Sequence, residues 1–259
     1  MKIDFMGIPV DSHTMEETIA RIDEAIISGE HIHHVVINAG KVVSMMKDKE
    51  LFNSVLSCDI INADGQSIVW AARFLGNRLP GRVAGVDLMQ ELIKLAALKG
   101  YKCFFFGARE EVVTMVVKRY TEEFGPQIIA GYRNGYFNEA EEPLIAKQIS
   151  ESGANMLFVA ITSPKKEKFL YNYEDVLRNV NFTMGVGGSF DIVAGITRRA
   201  PKWLQKMGLE WFVRLTQEPG RMWKRYLIGN STFIYLVIRE RFLGKKRINQ
   251  ISKIPENDN

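Results

Sequence analysis

An aspartate followed by a glycine closes an apolar run in the segment CDIINADG, where Asp64 is the second acidic residue. The run predicts a strand, and parallel sheets bind their ligands outside the carboxyl ends of their strands. An aspartate in that place could act as a general base that takes a proton from an incoming hydroxyl. A helix N-cap or turn aspartate explains the local sequence equally well.

Arg82, in the segment GRVAGVDL, lies just before a predicted helix. Its guanidinium could bind a phosphate or leaving group, because the planar fork of donors matches phosphate oxygens. A solvated loop arginine is the alternative, and Arg82 taken alone favours it. Asp87 in the same segment is predicted to be the N-cap of the helix that follows.

Closely spaced glycines mark the segment GVGGSFD (185–191), between a predicted strand and a predicted helix. At Gly187 and Gly188 a ligand could approach the backbone, and amides at a helix start attract phosphate. The segment matches neither G-x-G-x-x-G nor a P-loop with G-K-[ST]. A tight strand–helix turn without a ligand is the alternative.

Three histidines, His31, His33 and His34, precede or begin a predicted strand. No cysteine or carboxylate stands beside them at the spacing of a metal site, so a polar strand entry is the better interpretation. The chain also has no Asp-x-Asp motif of the kind that holds the Mg²⁺ of a nucleotide-sugar. We therefore expect neither a metal nor another cofactor.

Short apolar runs alternate with amphipathic helical patterns along most of the chain. Strands are predicted at 35–39, 58–63, 102–107, 128–132, 155–161 and 182–188, and helices after the capping box Thr14–Glu17 and at 87–99, 109–123, 139–152 and 164–178. This alternation predicts an α/β fold with a Rossmann-like parallel sheet flanked by helices. From Thr197 onward only helical patterns occur, interrupted at Pro219-Gly220. We predict a catalytic domain at 1–196 and a helical appendage at 197–259.

The composition suits a folded protein of a reducing compartment. Apolar residues make up 46% of the chain, and the two cysteines, Cys58 and Cys103, lie in apolar runs. The N-terminus has no signal-peptide layout, and no apolar run approaches the roughly 20 residues of a membrane span. We therefore expect a cytoplasmic protein whose membrane contact, if any, is peripheral.

Charge is unevenly distributed. Residues 198–259 contain 14 Lys and Arg but 5 Asp and Glu, a net charge of +9, whereas residues 1–197 carry −5. Interfacial aromatic residues are interleaved with the basic ones, a pattern that suits a helix on an anionic bilayer. A helix packed on the body with a solvated basic face is an alternative. Nucleic acid is a weaker one, since no nucleic-acid-binding motif is present, and a homo-oligomer could also bury the apolar faces.

Six segments follow one another along the chain: VVINAGKVV, INADGQSIVWA, RVAGVDLM, FFFGARE, VAITSPKKE and the block from Gly185 to Asn230. Together they closely resemble the WecG/TagA/CpsF family of bacterial glycosyltransferases. The resemblance implies a Rossmann-like body with a membrane-associating C-terminal appendage. It also implies transfer of a sugar, typically N-acetylmannosamine, from a UDP-sugar to undecaprenyl-diphosphate-GlcNAc at the cytoplasmic face. The products of such enzymes feed teichoic acid, common antigen or capsule synthesis.

The resemblance assigns roles to individual residues. It makes Asp64 the catalytic base and Asn38 and Arg82 active-site residues. Arginines that would meet the lipid diphosphate correspond to Arg214 and Arg221, with Lys224 or Arg225 as a third.

Two positions depart from the family pattern. Val36 replaces a threonine common in the early strand motif, and Lys166 replaces the glutamine of Ser-Pro-Lys-Gln-Glu. Lys166 could still contact a phosphate or a sugar, but the paired donor and acceptor of an amide are lost. The identity of the donor sugar is therefore open.

These observations lead to an inverting, metal-independent transfer with Asp64 as base, as the resemblance implies. Another UDP-hexose transferase of capsule or exopolysaccharide synthesis is the alternative within the same class. A nucleotide-dependent oxidoreductase is a rival, although the dinucleotide fingerprint is missing. A non-catalytic scaffold that binds anionic lipid through the basic tail is another.

Overall fold

The computed structural model describes residues 1–243, except for the side chains of residues 206, 221, 222, 224 and 225. It contains the following eight strands: β1 (Lys2–Phe5), β2 (Ile8–Asp11), β3 (Ile32–Ile37), β4 (Ile60–Ala63), β5 (Cys103–Gly107), β6 (Ile129–Arg133), β7 (Met156–Ala160) and β8 (Phe182–Gly185). The last six form one parallel sheet in the order β4-β3-β8-β7-β5-β6. The predicted α/β Rossmann-like sheet is confirmed.

Helices connect these strands and continue beyond them. They are α1 (Met15–Ser28), α2 (Ala39–Met45), α3 (Lys49–Leu56), α4 (Gln66–Phe74), α5 (Gly85–Lys99), α6 (Glu110–Phe124), α7 (Glu142–Ser150), α8 (Lys165–Asn172), α9 (Glu174–Leu177), α10 (Ser189–Val193), α11 (Lys202–Lys206), α12 (Glu210–Gln217) and α13 (Pro219–Leu243). Short 3-10 turns lie at Pro126–Ile128 and Glu139–Glu141. The capping box of α1 is present, since Thr14 and Glu17 each accept the backbone N–H of the other.

Three local features differ from the prediction. An antiparallel hairpin of β1 and β2 precedes α1, with Met6 and Gly7 both at positive φ in its turn. The helix predicted over 164–178 divides at Tyr173 into α8 and α9. Asp87 is not an N-cap: α5 already begins at Gly85, and its N-cap, Ala84, has no capping side chain.

Alternation along the strands divides the core between the two faces of the sheet. Ile32 and Val36 of β3 pack with α1, α5, α6 and α10 on one face. Val35 and Ile37 point the other way, into a cluster with the hairpin and α2, α3 and α4. A third cluster lies beside it, around α7 and α8. All strands of the sheet except the edge strand β6 are buried on both faces, and their largely apolar sequences explain why they could be predicted.

The appendage shares this core. Phe233, Leu236 and Val237 of α13 are buried in the cluster with α2 and α4, and the Phe233 ring lies 6.4 Å from that of Phe5. The helix therefore has one face built into the body of the protein. That residues 197–259 form a separate membrane-associating unit stays a prediction.

Candidate active site

A large cleft of about 2260 Å³ opens at the carboxyl ends of the parallel strands. Asn38 follows β3, Asp64 follows β4 and the glycine loop follows β8, so each is delivered there by the strand before it. The structure brings together seven residues predicted from the sequence, since the lining includes Asn38, Asp64, Arg82, Lys166, Gly187, Gly188 and Arg214. This is the edge at which α/β sheets bind ligands.

Backbone hydrogen bonds to β3 and to the loop before α5 fix the position of Asp64. Its N–H donates to the carbonyl of Ile37 at 2.8 Å, and the carbonyl of Ala63 accepts from Val83 at 2.9 Å. Gly65, at φ 101°, is the N-cap of α4 and leaves that helix without a side-chain cap. Asp64 is therefore not the N-cap of α4, and it lines the cleft.

The surroundings of Asp64 change its acidity. Burial, followed by the nearby carboxylate of Glu210, raises the pKa of Asp64 from 3.8 to about 6, while Arg214, Arg82 and Lys41 act in the opposite direction. A carboxyl with a pKa near neutrality is a stronger base than an exposed one and is still ionised at physiological pH. Perturbed carboxyls in clefts are typical of catalytic groups.

Arg82 is fixed by two residues of the appendage. It donates from Nη1 to Glu210 at 3.0 Å and from Nη2 to Gln205 at 2.9 Å. The Gln205 amide in turn donates to the carbonyl of Ala200 at 2.6 Å. A solvated loop arginine is therefore wrong as an interpretation of Arg82, because its guanidinium joins the body to α11 and α12 beside the cleft.

A second arginine strengthens this junction. Arg199 forms a bidentate ion pair with Asp87, with Nη2 at 2.6 Å from Oδ2, and its Nε lies 3.7 Å from Glu210. Asp87, expected to cap α5, instead fastens the start of the appendage. The bidentate geometry favours a defined position over a loose contact.

A buried charge cluster lies at the wall of the cleft. Lys41 and Lys166 both approach the same oxygen of Glu167, at 2.7 and 2.9 Å, and all three side chains are buried. Burial alone would raise the pKa of Glu167, but the two ammonium groups lower it to about 2. Glu167 is therefore firmly ionised and holds both lysines in place.

The glycine loop serves two purposes. Gly187 adopts φ 54°, which favours glycine, and with Gly188 it turns the chain from β8 into α10. A Cβ on Gly185 would lie 2.7 Å from Cε of Lys166, so this glycine makes room for the lysine stem. The backbone of the loop faces the cleft, although α10 has only five residues.

Asn38 has a structural contact of its own. Its side-chain oxygen caps α2 by accepting the N–H of Lys41 at 3.0 Å. The cap fixes Asn38 at the cleft wall and also sets the direction from which Lys41 reaches Glu167.

Of the predicted cationic residues in the appendage, Arg214 on α12 lines the cleft. Arg221, Lys224 and Arg225 fall in α13, but their side chains lie outside the described residues. Aromatic side chains of the appendage are exposed at Trp203, Trp211, Phe212 and Trp223. Between residues 1 and 243, no helix is both long and apolar enough to cross a bilayer.

The histidines lie apart from this chemistry. His33 and His34 are buried inside β3, where burial lowers their pKa values to about 3 and 4. His34 shares a hydrogen bond of 2.9 Å with Asn62. In the described part of the chain, no three His, Cys, Asp or Glu side chains form a group that could hold a metal ion.

Sequence reasoning missed Glu210, Gln205, Arg199, Lys41 and Glu167 as members of the site. Two signals were available. Lys41 lies three residues after Asn38, and Glu167 follows Lys166 directly. Neither signal identifies the partner, because the pairs are separated by more than 100 residues along the chain.

Comparison of the sequence with known proteins identifies its family. The glycosyl transferase family WecG/TagA/CpsF matches residues 3–247. The chain belongs to this family. The family is one of glycosyltransferases, so the protein is an enzyme.

Two curated relatives from Bacillus extend the comparison. A protein of Bacillus subtilis strain 168 is 38% identical over 191 residues, which are 74% of this chain and 73% of the relative. A protein of Bacillus spizizenii is 36% identical over 177 residues, 68% of this chain and 67% of the relative. Both carry the name N-acetylglucosaminyldiphosphoundecaprenol N-acetyl-beta-D-mannosaminyltransferase.

Proposed function

We propose that this glycosyltransferase moves N-acetylmannosamine or a related hexose from a UDP-sugar to undecaprenyl-diphosphate-linked GlcNAc. The observation that carries the proposal is the position of Asp64 in the cleft at the carboxyl end of β4. Its pKa is raised, and it is not the N-cap of the helix that follows. The names of the two Bacillus relatives supply the acceptor and the sugar.

The transfer is a single displacement. Asp64 takes the proton of an acceptor hydroxyl, and the hydroxyl oxygen forms a bond to the anomeric carbon of the donor. The bond between that carbon and the oxygen of the β-phosphate breaks, and UDP leaves with the electron pair. Because one nucleophile attacks opposite one leaving group, the configuration at the anomeric carbon inverts.

The leaving diphosphate gathers negative charge, and the cleft offers groups to stabilise it. Arg82 and Lys166 present cationic side chains, and Gly187 and Gly188 present the backbone of a strand–helix turn. Preorganised donors of this kind stabilise the transition state without a metal. The proposed reaction accordingly requires no metal ion and no other cofactor.

The appendage supplies the contact with the lipid. Arg214 lines the cleft beside Asp64, and Arg221, Lys224 and Arg225 follow in the same basic segment. These residues would bind the acceptor diphosphate and the anionic inner face of the cell membrane, where each basic residue adds about 1 kcal/mol. The protein would then be cytoplasmic and peripheral. It needs no nucleic acid, and a homo-oligomer is compatible with the exposed apolar surfaces.

The decisive experiment incubates the full chain with a synthetic lipid-diphosphate-GlcNAc and a panel of UDP-sugars, with and without EDTA, and detects the product by mass. Transfer from UDP-N-acetylmannosamine that resists EDTA is expected, and Asp64→Asn should abolish it. Transfer from a different UDP-hexose alone would favour the capsule or exopolysaccharide alternative. Wild-type turnover by Asp64→Asn would show that another group is the base.

Family membership decides between the remaining classes. A lipid-binding scaffold without activity is wrong, because the family is one of transferases. The glycine loop does not support a nucleotide-dependent oxidoreductase. Its sequence, GVGGSFD, lacks the G-x-G-x-x-G fingerprint, and the helix that follows, α10, has only five residues.

A further inference from the structure

Apolar side chains border the cleft on α4 and remain exposed. Trp70 and Phe74 are 52% and 46% exposed, and both line the cleft. Gln66, Trp70 and Phe74 are spaced four residues apart, so they follow one another along one side of the helix. The helix begins two residues after Asp64. At a rise of 1.5 Å per residue, Trp70 and Phe74 lie about 6 and about 12 Å along the axis from the start of the helix, which is close to the proposed base.

A second apolar stripe lies on α13. Leu227, Ile234 and Ile238 are 66%, 56% and 47% exposed and line the same cleft. Their spacings of seven and four residues place them on one side of the helix. Since Phe233, Leu236 and Val237 anchor an adjacent face of α13 in the core, this second apolar face is held at the cleft by a rigid support.

Exposed apolar surface of this extent in a cleft indicates a ligand with apolar parts. The cleft also contains a carboxylate, Asp64, and cationic side chains, Arg82 and Arg214. A lipid-linked sugar diphosphate presents the complementary chemistry in one molecule: a sugar hydroxyl, a diphosphate and a hydrocarbon chain.

We propose that the stripes of α4 and α13 form an isoprenoid groove that binds the first units of the acceptor's polyprenyl chain. The inference rests on the proposed function, which names this acceptor. The groove recognises the chain next to the diphosphate, so the tail contributes to binding inside the protein and not through the membrane alone. An acceptor is thus selected by its lipid as well as by its sugar.

The test compares two water-soluble acceptors without membranes or detergent micelles. Both carry GlcNAc diphosphate, one with a methyl group and one with a farnesyl chain, and the donor is the UDP-sugar accepted by the wild type. Burying the chain should lower KM for the farnesyl acceptor by about tenfold or more relative to the methyl acceptor. Ile234→Ser combined with Ile238→Ser should raise KM for the farnesyl acceptor by about tenfold and leave KM and kcat for the methyl acceptor unchanged.

Tyr235→Ser is the matched control. Tyr235 lies on the same helix and is 62% exposed, but it does not line the cleft. It should leave the preference for farnesyl intact, whereas Phe74→Ser, on the other helix, should reduce it. An equal loss with Tyr235→Ser would indicate that the farnesyl chain contacts the exposed surface of α13 outside the cleft and would overturn the groove.

The outcomes separate the groove from the proposed function. Equal KM values for the two acceptors in the wild type would overturn the groove and leave the transferase assignment standing. Failure of the wild type to use either acceptor with any donor of the panel would overturn the proposed function and the groove with it.

Discussion

Glu210, on α12, accepts a 3.0 Å hydrogen bond from Arg82, which lies on the loop before α5. The same carboxylate raises the pKa of Asp64, after burial the largest cause of that shift. A single residue of the appendage thus positions the guanidinium and strengthens the base. The two effects are linked, because both depend on the position of α12 beside the cleft.

Replacing Glu210 should weaken the base. Glu210→Gln keeps a hydrogen-bond acceptor for Arg82 but removes the negative charge, so the pKa of Asp64 falls and the acid limb of the kcat/KM profile moves to lower pH. Glu122→Gln, which removes a carboxylate from a surface ion pair, is the control and should leave the profile unchanged. A profile that stays in place with Glu210→Gln would contradict the assigned electrostatic role.

The wild-type pH dependence follows from the same base. With a pKa of about 6 for Asp64, kcat/KM should be level at neutral pH and fall about tenfold per pH unit below pH 6. Steady-state rates between pH 4.5 and 8 in buffers of constant ionic strength measure this limb. A limb centred near 4 would mean that Asp64 titrates like an exposed aspartate.

Removing the charge of Asp64 should stabilise the fold at neutral pH. Its pKa rises from 3.8 unfolded to about 6 folded, so the folded state loses stability as pH rises through this interval. Asp64→Asn should therefore gain up to about 3 kcal/mol in unfolding free energy at pH 7.5. Urea unfolding at pH 7.5 and at pH 4 measures the gain, which should shrink at pH 4. An equal gain at both values would assign it to a cause other than ionisation.

The buried cluster of Lys41, Lys166 and Glu167 should show the opposite dependence of stability on pH. The pKa of Glu167 is lowered to about 2, so its contribution is complete above pH 4.5 and is lost as pH falls toward 2. Glu167→Gln leaves Lys41 and Lys166 buried without this partner, which should cost about 3–5 kcal/mol at pH 7. Glu50→Gln removes one of the two partly exposed carboxylates that pair with Lys168, the other being Asp48, and should cost under about 1 kcal/mol. Similar losses in the two variants, measured by thermal unfolding, would refute the importance of the buried cluster.

Alanine substitutions at two glycines near the start of the appendage should distinguish the cost of backbone strain from the cost of a steric clash. Gly208 and Gly195 adopt φ 70° and 78°, but a Cβ on Gly208 would lie 3.0 Å from Cη2 of Trp70, whereas one on Gly195 meets nothing within 4 Å. Gly195→Ala should cost about 1 kcal/mol from strain alone. Gly208→Ala should cost about 1–3 kcal/mol more and raise KM, because α12 is pushed away from α4. Equal stability and kinetics of the two variants would mean that Trp70 yields without moving α12.

The sequence predicted the sheet and the candidate base for the same physical reason. Strands buried on both faces are apolar throughout, and a polar residue directly after one, such as Asp64, stands at the ligand-binding edge. The hairpin of β1 and β2 was missed because its turn, at Met6 and Gly7, lacks the usual Asn-Gly signal, although both residues have the positive φ of a two-residue turn.

Long-range pairs set the limit of what the sequence could predict. Arg82 and Glu210 are 128 residues apart, and Lys41 and Glu167 are 126 apart. Neither pair leaves a periodic or local pattern, since the contact exists only after the sheet and the appendage have packed. For Asp87, propensity favoured a cap, but the ion pair with Arg199 lies 112 residues away. Tertiary packing determined its role.

The packing of α13 against α2 has a mechanical meaning. The helix that would touch the lipid packs against α2, whose N-cap, Asn38, lies on the wall of the cleft. A tilt of α13 at a surface would reach the end of β3 through this direct packing contact. Docking of α13 on a membrane would therefore be mechanically coupled to the position of Asn38 in the wall of the cleft.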